Sequence, residues 1–270
     1  IEANWVQTGR KMQLAFELTG ADDVTFDRLS ITGAQDGVHA SDNVGSLRLT
    51  IKDSTIFKNF TDNVFVGIGN TQARIENSTF YGQLATVGVN GRTQNNLELR
   101  GFDATVTGCT IFDANGDGIS YTNGGLATIT NNRIFGNLSD GILLFGGTQR
   151  SLVADNTVFN NLQIGIRATG NVLVSGNTVY DQLDKTVNGV GLDISGAEAV
   201  NNVISGNGTG VRTANGALVH HNQVTRSTVI GINAQSNDVV SFNRVYNNVT
   251  GIFIPSSGAP EISNNLIYNN

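Results

Sequence analysis

Apolar and polar residues along this chain form a short unit that returns many times. An apolar residue is followed by two spacers, a small polar residue that is usually Asn, one spacer and a second apolar residue. One copy runs from Ile129 through Asn132 to Ile134. Alternation over so few residues is typical of short β-strands, whose successive side chains point to opposite faces. The unit therefore predicts a chain of many short strands.

The polar position of this unit recurs at intervals of 20 to 31 residues. Such intervals are coil lengths of a parallel β-helix. The interval from Ser78 to Cys109 is the longest, and residues 181–189 lengthen a later coil. Extra residues in a solenoid form loops on one face, which is often the binding face. The polar positions are Asp27, Ser54, Ser78, Cys109, Asn132, Asn156, Asn177, Asn202, Asn222, Asn243 and Asn265.

A second landmark follows each polar position by about ten residues and pairs a small or turn residue with a β-branched residue or Leu. Two landmarks in register predict stacked coils with one shared apolar core, because a single coil cannot bury its apolar face. We therefore predict an all-β protein, a right-handed, single-stranded parallel β-helix of about ten coils with an Asn ladder. The landmark reads Gly37-Val38, Asn63-Val64, Gly118-Ile119, Gly141-Ile142, Gly165-Ile166, Gly191-Leu192, Gly210-Val211, Gly231-Ile232 and Gly251-Ile252.

The repeat also predicts how the chain is organised. Residues 21–270 are expected to be the β-helix domain, and residues 1–20 an incomplete first coil or a cap. The chain opens without a signal peptide and closes on a repeat-like segment. We therefore expect a piece of a larger secreted or cell-surface protein, with neighbouring domains in the same parent chain.

Composition narrows the classes of partner. The net charge is −6 and charged residues make up 14% of the chain. This balance argues against nucleic acid, whose phosphates require clustered Lys and Arg. No apolar stretch is long enough for a transmembrane helix, so membrane insertion is not expected. The single cysteine, Cys109, cannot form a disulfide within the chain.

The Asn unit with its Gly-Ile landmark resembles the right-handed β-helix repeat superfamily over about residues 21–270. That group includes pectate and alginate lyases, mannuronan C5-epimerases, phage tailspikes and surface adhesins. The resemblance implies the fold and favours glycans as partners. Epimerases of the group carry an Asp-Pro-His stretch, whereas the prolines here are Pro255 and Pro260, neither of them near a histidine.

The residue after each Gly-Ile landmark is expected on the outer face of one sheet. Arg167, Asp193 and Arg212 then lie on three consecutive coils and form our candidate catalytic set. Polysaccharide lyases of this fold need a base for the proton beside a uronate and a cation or Arg for its carboxylate, and Arg167 and Arg212 would flank such a sugar acid. The alternative is a cross-strand charge ladder without catalysis. The predicted outer column reads His39, Phe65, Gly88, Ser120, Leu143, Arg167, Asp193, Arg212, Asn233 and Phe253.

Aspartates recur on neighbouring coils just before the same landmark. Asp36 and Asp62 form one such pair, and Asp117 and Asp140 form another. Carboxylates about 5 Å apart repel unless a cation screens them, so Asp117 and Asp140 are a candidate calcium site, and no other cofactor is expected. The alternative is that each aspartate caps a turn.

Three phenylalanines are predicted on or near the outer column: Phe65, Phe145 and Phe253. Exposed aromatic rings stack on sugars, or they cover a neighbouring domain. His39 and Lys52 are candidate bases that should point from different faces, and the pair His220-His221 is expected at a turn surface.

We therefore predict a β-helix module that acts as a rigid spacer, a carbohydrate-contacting surface, or both, with an acidic polysaccharide as the candidate partner. Two alternatives stay open. One is a polysaccharide lyase or epimerase that acts on acidic glycans through the Arg167, Asp193 and Arg212 face. The other is a trimeric adhesin or phage-type depolymerase.

Overall fold

The computed structural model describes residues 14–83, 93–256 and 258–270. These residues form 33 short strands and no helix, and so contain no helix that could span a bilayer. The strands stack in three parallel sheets of eleven strands each, and each coil contributes one strand to every sheet. The predicted parallel β-helix is confirmed, with eleven coils.

Sheet 1 receives the first strand of each coil, and its strands follow one another in coil order. They are β1 (Phe16–Leu18), β4 (Val38–Ala40), β7 (Asp62–Val66), β10 (Asn95–Leu99), β13 (Ile119–Tyr121), β16 (Ile142–Phe145), β19 (Ile164–Thr169), β22 (Val190–Ser195), β25 (Thr209–Ala214), β28 (Ile230–Asn233) and β31 (Thr250–Phe253).

Sheet 2 receives the second strand of each coil. Its strands are β2 (Thr25–Asp27), β5 (Thr50–Lys52), β8 (Arg74–Glu76), β11 (Ala104–Thr107), β14 (Ala127–Thr130), β17 (Ser151–Ala154), β20 (Val172–Ser175), β23 (Glu198–Val200), β26 (Leu218–His220), β29 (Val239–Ser241) and β32 (Glu261–Ser263).

Sheet 3 receives the third strand of each coil. Its strands are β3 (Ser30–Thr32), β6 (Thr55–Phe57), β9 (Thr79–Tyr81), β12 (Thr110–Phe112), β15 (Arg133–Phe135), β18 (Thr157–Phe159), β21 (Thr178–Tyr180), β24 (Val203–Ser205), β27 (Gln223–Thr225), β30 (Arg244–Tyr246) and β33 (Leu266–Tyr268).

The predicted Asn ladder lies at the turn between sheets 2 and 3, and its amides are buried. Asn132 donates from Nδ2 to Oδ1 of Asn156 at 3.0 Å, and Asn156 donates in the same way to Asn177 at 3.0 Å. The backbone N–H of each residue also donates to the side-chain oxygen of the next coil. Each buried amide therefore depends on the coil that follows it.

The first predicted member of this ladder, Asp27, is wrong. Asp27 pairs with Lys52 on the outer face of sheet 2, whereas the backbone N–H of Leu29 donates to Oγ of Ser54 at 3.0 Å. Leu29 therefore holds the ladder position in the first coil. Leu has no polar side chain, so the sequence carries no sign of the ladder position in this coil.

A second polar ladder, absent from the sequence prediction, follows the first by five residues. Asn137 donates from Nδ2 to Oδ1 of Asn161 at 2.8 Å, and the N–H of Asn161 donates to Oε1 of Gln182 at 2.9 Å. Near the last coils, Asn248 donates to Asn270 in the same way. The two ladders hold both ends of the sheet 3 strands.

The residue before each position of the first ladder has left-handed backbone, with φ between +46° and +67°. Asn, Asp and Gly adopt this conformation most readily, and His more readily than most residues. The column explains part of the high Asn and Gly content. It consists of Arg28, Asp53, Asn77, Gly108, Asn131, Asp155, Gly176, Asn201, His221, Phe242 and Asn264.

Six aromatic rings stack on the outer face of sheet 3, with centroids 4.7 to 5.1 Å apart. Successive rings lie within 16° of parallel, so each ring face is covered by the next ring and the edges point outward. Such a stack stabilises the coils but presents few faces to a ligand. The rings belong to Phe57, Tyr81, Phe112, Phe135, Phe159 and Tyr180.

Removal of one ladder amide tests how much the stack depends on it. Asn177→Ala leaves the N–H and Nδ2 of Asn156 without their acceptor and should lower the free energy of unfolding by at least about 2 kcal/mol. Denaturant unfolding followed by circular dichroism measures this change. Asn171→Ala, an exposed position in the same coil, should change stability by less than about 0.5 kcal/mol. Equal midpoints for the two variants would contradict the structural role of the ladder.

Candidate functional site

The outer column of sheet 1 carries the most varied side chains of the three outer faces. Its members follow from strand register and agree with the sequence prediction except in the fourth coil. There the column holds Glu98, which pairs with Phe65 and Ser120. The predicted member, Gly88, lies outside the described residues. The long insertion in that coil had displaced the landmark, which is Asn96-Leu97 instead of Gly-Ile.

Arg167, Asp193 and Arg212 occupy adjacent strands, as predicted, and form one ion-pair network. Arg212 binds both oxygens of Asp193, through Nε at 3.0 Å and Nη2 at 2.7 Å. Arg167 approaches Asp193 to 3.9 Å. The hydrogen bond to Asp193 raises the pKa of Arg212. The structure thus forms the cross-strand charge ladder that the sequence left as the alternative to catalysis.

Asp140 joins this network from the preceding coil. Its Oδ2 accepts a hydrogen bond from Nε of Arg167 at 2.8 Å. The Asp140 side chain is 3% exposed, whereas the side chains of Arg167 and Arg212 are each 34% exposed. The buried Asp140 and the partly exposed Asp193 therefore fix the two guanidinium groups, which remain partly open to solvent.

The lengthened coil after Asn177 forms one wall of a groove beside the arginines. The groove has a volume of about 600 Å³. Its loop wall provides Asp184 and Asn188, and the N–H of Thr186 donates to Oδ1 of Asp184 at 2.8 Å. The lining residues are Leu162, Gln163, Ile164, Arg167, Asp184, Asn188 and Arg212. The lengthened coil that the sequence spacing revealed therefore borders the groove beside the arginines.

A row of acidic and amide side chains runs beneath this face at the start of the sheet 1 strands. Oδ1 of Asp36 accepts the N–H of Asp62 at 2.9 Å, and Oδ1 of Asp62 accepts that of Asn95 at 3.0 Å. Oδ1 of Asp117 accepts the N–H of Asp140 at 3.0 Å. Each side chain therefore satisfies a backbone donor in the next coil, whereas the oxygens of the amide ladders accept from the preceding coil.

Burial changes the protonation of this row. It raises the pKa of Asp62 from 3.8 to about 7, with smaller contributions from Asp36 and Glu98. It raises the pKa of Asp140 to about 6, although Arg167 lowers it in part. The pKa of Asp117 is also raised, again mainly because the side chain is buried. Protonation relieves the repulsion between stacked carboxylates without a bound cation.

The calcium site predicted at Asp117 and Asp140 stays a prediction. Both side chains already accept backbone N–H groups, and Asp140 also binds Arg167. Among the residues that the structure describes, no group of three or more His, Cys, Asp or Glu side chains is arranged to hold a metal ion.

The three candidate sugar-binding phenylalanines do not form one platform. Phe65, Phe145 and Phe253 lie on the third, sixth and eleventh strands of sheet 1. At about 4.8 Å per coil, the gaps are about 14 Å and about 24 Å. Phe145 and Phe253 are 38% and 43% exposed. Phe65 stacks on the ring of His39, with centroids 4.6 Å apart.

The candidate bases His39 and Lys52 lie on different sheets, as expected. Nδ1 of His39 is 2.7 Å from Oδ2 of Asp36, on the outer face of sheet 1. Lys52 lies on sheet 2, where its Nζ is 3.6 Å from Asp27. The structure therefore does not combine the two groups in one site.

Glu98 and Arg100 were not singled out in the sequence. Oε1 of Glu98 accepts from Nε of Arg100 at 2.8 Å, and Oε2 accepts from Nδ2 of Asn95 at 2.9 Å. The guanidinium carbon of Arg100 lies 5.3 Å from the ring centroid of Phe65. Glu98 is 6% exposed, so its carboxylate is occupied by Arg100 and Asn95 and has little contact with solvent.

Comparison with known families places the chain in one of them. The family described as the right handed beta helix region matches residues 36–182, and the chain belongs to it. A family described as periplasmic copper-binding protein (NosD) matches residues 162–270. No curated protein matches the chain.

Several solved structures share the fold. The A-module of mannuronan C-5 epimerase AlgE4 from Azotobacter vinelandii is 14% identical, with a TM-score of 0.53 over 91% of this chain and 87% of that one. A mutant of the periplasmic alginate epimerase AlgG is 14% identical, with a TM-score of 0.58 over 90% and 76%.

The tailspike of Escherichia coli bacteriophage HK620, solved with a hexasaccharide, is 11% identical. Its TM-score is 0.57, and the match covers 90% of this chain and 46% of the tailspike. At these identities the likeness shows the fold alone.

The raised pKa of Asp62 predicts a dependence of stability on pH. An acid with a higher pKa in the folded protein binds its proton more readily when folded, so its contribution is lost as pH rises from about 4 to about 7. In Asp62→Asn, a neutral acceptor for Asn95 remains. Relative to the unchanged protein, this variant should gain up to about 4 kcal/mol between about pH 4 and pH 8.

Denaturant unfolding at several pH values measures this gain. Asn171→Ala changes an exposed residue and adds or removes no titratable group, so its curve should run parallel to that of the unchanged protein. A parallel curve for Asp62→Asn as well would show that the buried row does not titrate in this range.

Proposed function

We propose that this β-helix is a carbohydrate-contacting module of a secreted or cell-surface protein, and that the groove beside Arg167 and Arg212 binds the glycan. One observation carries the proposal: two guanidinium groups, fixed by Asp140 and Asp193, border a groove of about 600 Å³. This volume is typical of pockets for small ligands.

Fixed guanidinium groups suit a sugar acid. Each offers several N–H donors in one plane, which matches the two oxygens of a carboxylate. Nε of Arg167 is used by Asp140, so its terminal amino groups remain for a ligand. Asp184 and Asn188 add acceptors and donors for hydroxyl groups from the loop wall. An acidic polysaccharide is therefore the proposed partner.

The balance between positive and negative side chains in the groove determines which interactions would hold such a glycan. The two arginines are offset by Asp140, Asp193 and Asp184, so the groove has no excess of positive charge. Binding then depends on directed hydrogen bonds rather than on a broad positive field. We therefore expect selectivity for sugars whose carboxylate reaches the arginines, and only a moderate weakening of binding by salt.

The arrangement of Arg167, Asp193 and Arg212 supports glycan binding better than it supports lyase or epimerase chemistry. That chemistry requires a base with a free oxygen, whereas both oxygens of Asp193 accept hydrogen bonds from Arg212. The neighbouring epimerases share the fold at 14% identity, which does not carry their activity to this chain. The proposed module binds without turning over its ligand.

Glutamine variants of the two arginines test the groove. Arg167→Gln and Arg212→Gln should each weaken binding of oligomers of alginate or pectate about 10-fold or more, because each removes a charged hydrogen-bond donor. Isothermal titration calorimetry measures the change. Ultraviolet absorbance of unsaturated uronate measures turnover in the same mixtures, and none is expected.

Arg133→Gln is the matched control. Arg133 lies over the rings of Phe135 and Phe159 on sheet 3, away from the groove, and its loss should change affinity by less than about twofold. The proposal fails if no uronate oligomer binds, or if Arg133→Gln weakens binding as much as the groove variants.

A further inference from the structure

A second groove lies on the other side of Arg212. It has a volume of about 410 Å³, with Arg212 and Asp193 at one end and the turns that follow strands β25 and β28 at the other. Because those turns provide amide side chains, we call it the amide groove. Arg212 also lines the groove beside Arg167, so the two grooves meet at its side chain and together cross sheet 1.

Strand register gives the length of this combined path. The groove beside Arg167 begins at Ile164, which is level with Thr209 through Val190. The amide groove includes Asn215, six residues further along the chain than Thr209. At about 3.3 Å per residue the path is about 20 Å long, measured along the strands. It is therefore longer than a single sugar ring, and an oligosaccharide bound at the arginines has a place to continue.

A small side chain forms the floor of the amide groove. Thr169, Ser195 and Ala214 lie in one outer column, two residues after the column of the arginines. Ala214 has the smallest side chain of the three, so the outer face is lower there than on the preceding coils. The turn residues that border this hollow are Asn215, Gln235, Ser236 and Asn237.

One buried carboxylate holds the turns that form the walls. Asp238 is 0% exposed. Its Oδ1 accepts the N–H groups of Gly216 and Ala217 at 3.0 and 2.9 Å. Its Oδ2 accepts the N–H of Gln235 at 2.9 Å and the hydroxyl group of Thr213. The turns of two successive coils are therefore fixed to one side chain, and the walls are in place before a ligand binds.

The amide side chains are themselves oriented. Nδ2 of Asn215 donates to Oγ of Ser195 at 2.7 Å, and Nε2 of Gln235 donates to Oδ1 of Asn233 at 3.2 Å. Each of the two amides keeps its oxygen and one N–H for a ligand. Sugar hydroxyl and acetamido groups both donate and accept hydrogen bonds, so they match this pair of amides.

Charge distinguishes the two grooves. Among the described residues that line the amide groove, the charged ones are Asp193 and Arg212, which already bind each other. A carboxylate placed in the amide groove would lie near Asp193 without a cation of its own, and like charges repel. It would also have no donor for the amide oxygens. The amide groove therefore suits a neutral sugar better than a second uronic acid.

We propose that the glycan is a heteropolysaccharide, in which the uronic acid at Arg167 and Arg212 is linked to a neutral sugar that occupies the amide groove. This conclusion rests on the proposed function and names the class of glycan that the site selects. A chain made only of uronic acids places a carboxylate at the amides and binds less tightly.

Isothermal titration calorimetry with matched oligosaccharides tests this selectivity. The alternating probes are hexasaccharides of hyaluronan and of unsulfated chondroitin, in which glucuronate alternates with a neutral N-acetylhexosamine. A galacturonate trimer matches their charge, and a galacturonate hexamer matches their length. The tighter of the alternating probes should bind at least about 10-fold more tightly than either galacturonate oligomer, because only it pairs with the amides as well as the arginines.

Variants of the amide groove test where the neutral sugar lies. Ala214→Leu fills the hollow and should weaken binding of the alternating probe about 10-fold or more. Gln235→Ala removes one neutral hydrogen-bond partner and should weaken it about 3–10-fold. Neither variant should change the affinity for the galacturonate trimer by more than about twofold. Ser175→Leu makes a similar change on the outer face of sheet 2 and is the matched control, with no effect on either ligand.

The outcomes separate this inference from the proposed function. If both alternating probes bind no more tightly than the galacturonate oligomers, or if Ala214→Leu and Gln235→Ala leave their affinity unchanged, the heteropolysaccharide is ruled out while the groove beside Arg167 still binds uronates. If no uronate oligomer of any kind binds, the proposed function fails and this inference fails with it. Unchanged circular dichroism and unfolding midpoints would show that each variant folds.

Discussion

The structure depends on one requirement, that the buried side-chain amides of its ladders hydrogen-bond to the neighbouring coils. Nδ2 of Asn202 donates to Oδ1 of Asn222 in the next coil and to the carbonyl of Val174 in the preceding coil, each at 2.9 Å. A shift of one coil by one residue would move these groups to the wrong face and leave several buried donors unpaired. Register is thus set by polar ladders as much as by apolar packing, and coil length varies only where loops leave the stack.

The same requirement determines which side chains can stack. Neutral rings and amides repeat in identical columns, because like groups attract or pair. Charged groups cannot repeat in this way, and on sheet 1 they alternate in sign through Arg167, Asp193 and Arg212. The row that includes Asp36, Asp62, Asp117 and Asp140 is an exception. It is stabilised by backbone N–H donors and by protonation, as the raised pKa values of three of its members show.

Much of the fold could be predicted from the sequence. The residues of one column lie at a nearly constant distance in sequence from the ladder position of their own coil. The spacing of the repeats alone predicted the Asn ladder. It also placed Arg167 and Arg212 on the strands next to Asp193. The second amide ladder and the six stacked rings lie five and three residues after the first ladder, so the sequence carries the signal for both. Asp27 and Gly88 were misplaced because one coil lacks a polar ladder residue and another lacks the Gly-Ile landmark.

Other contacts had no sequence signal at all. Asp140, which precedes strand β16, reaches Arg167 across a coil boundary, and no column offset predicts such a diagonal pair. The same holds for Glu198 and His220 on sheet 2. Inward columns and ladders are constrained to a few residue types, whereas outer positions are free to vary. Chemical function in this solenoid is therefore expected where an outer column departs from its neighbours, and the groove beside Arg167 and Arg212 is a departure of that kind.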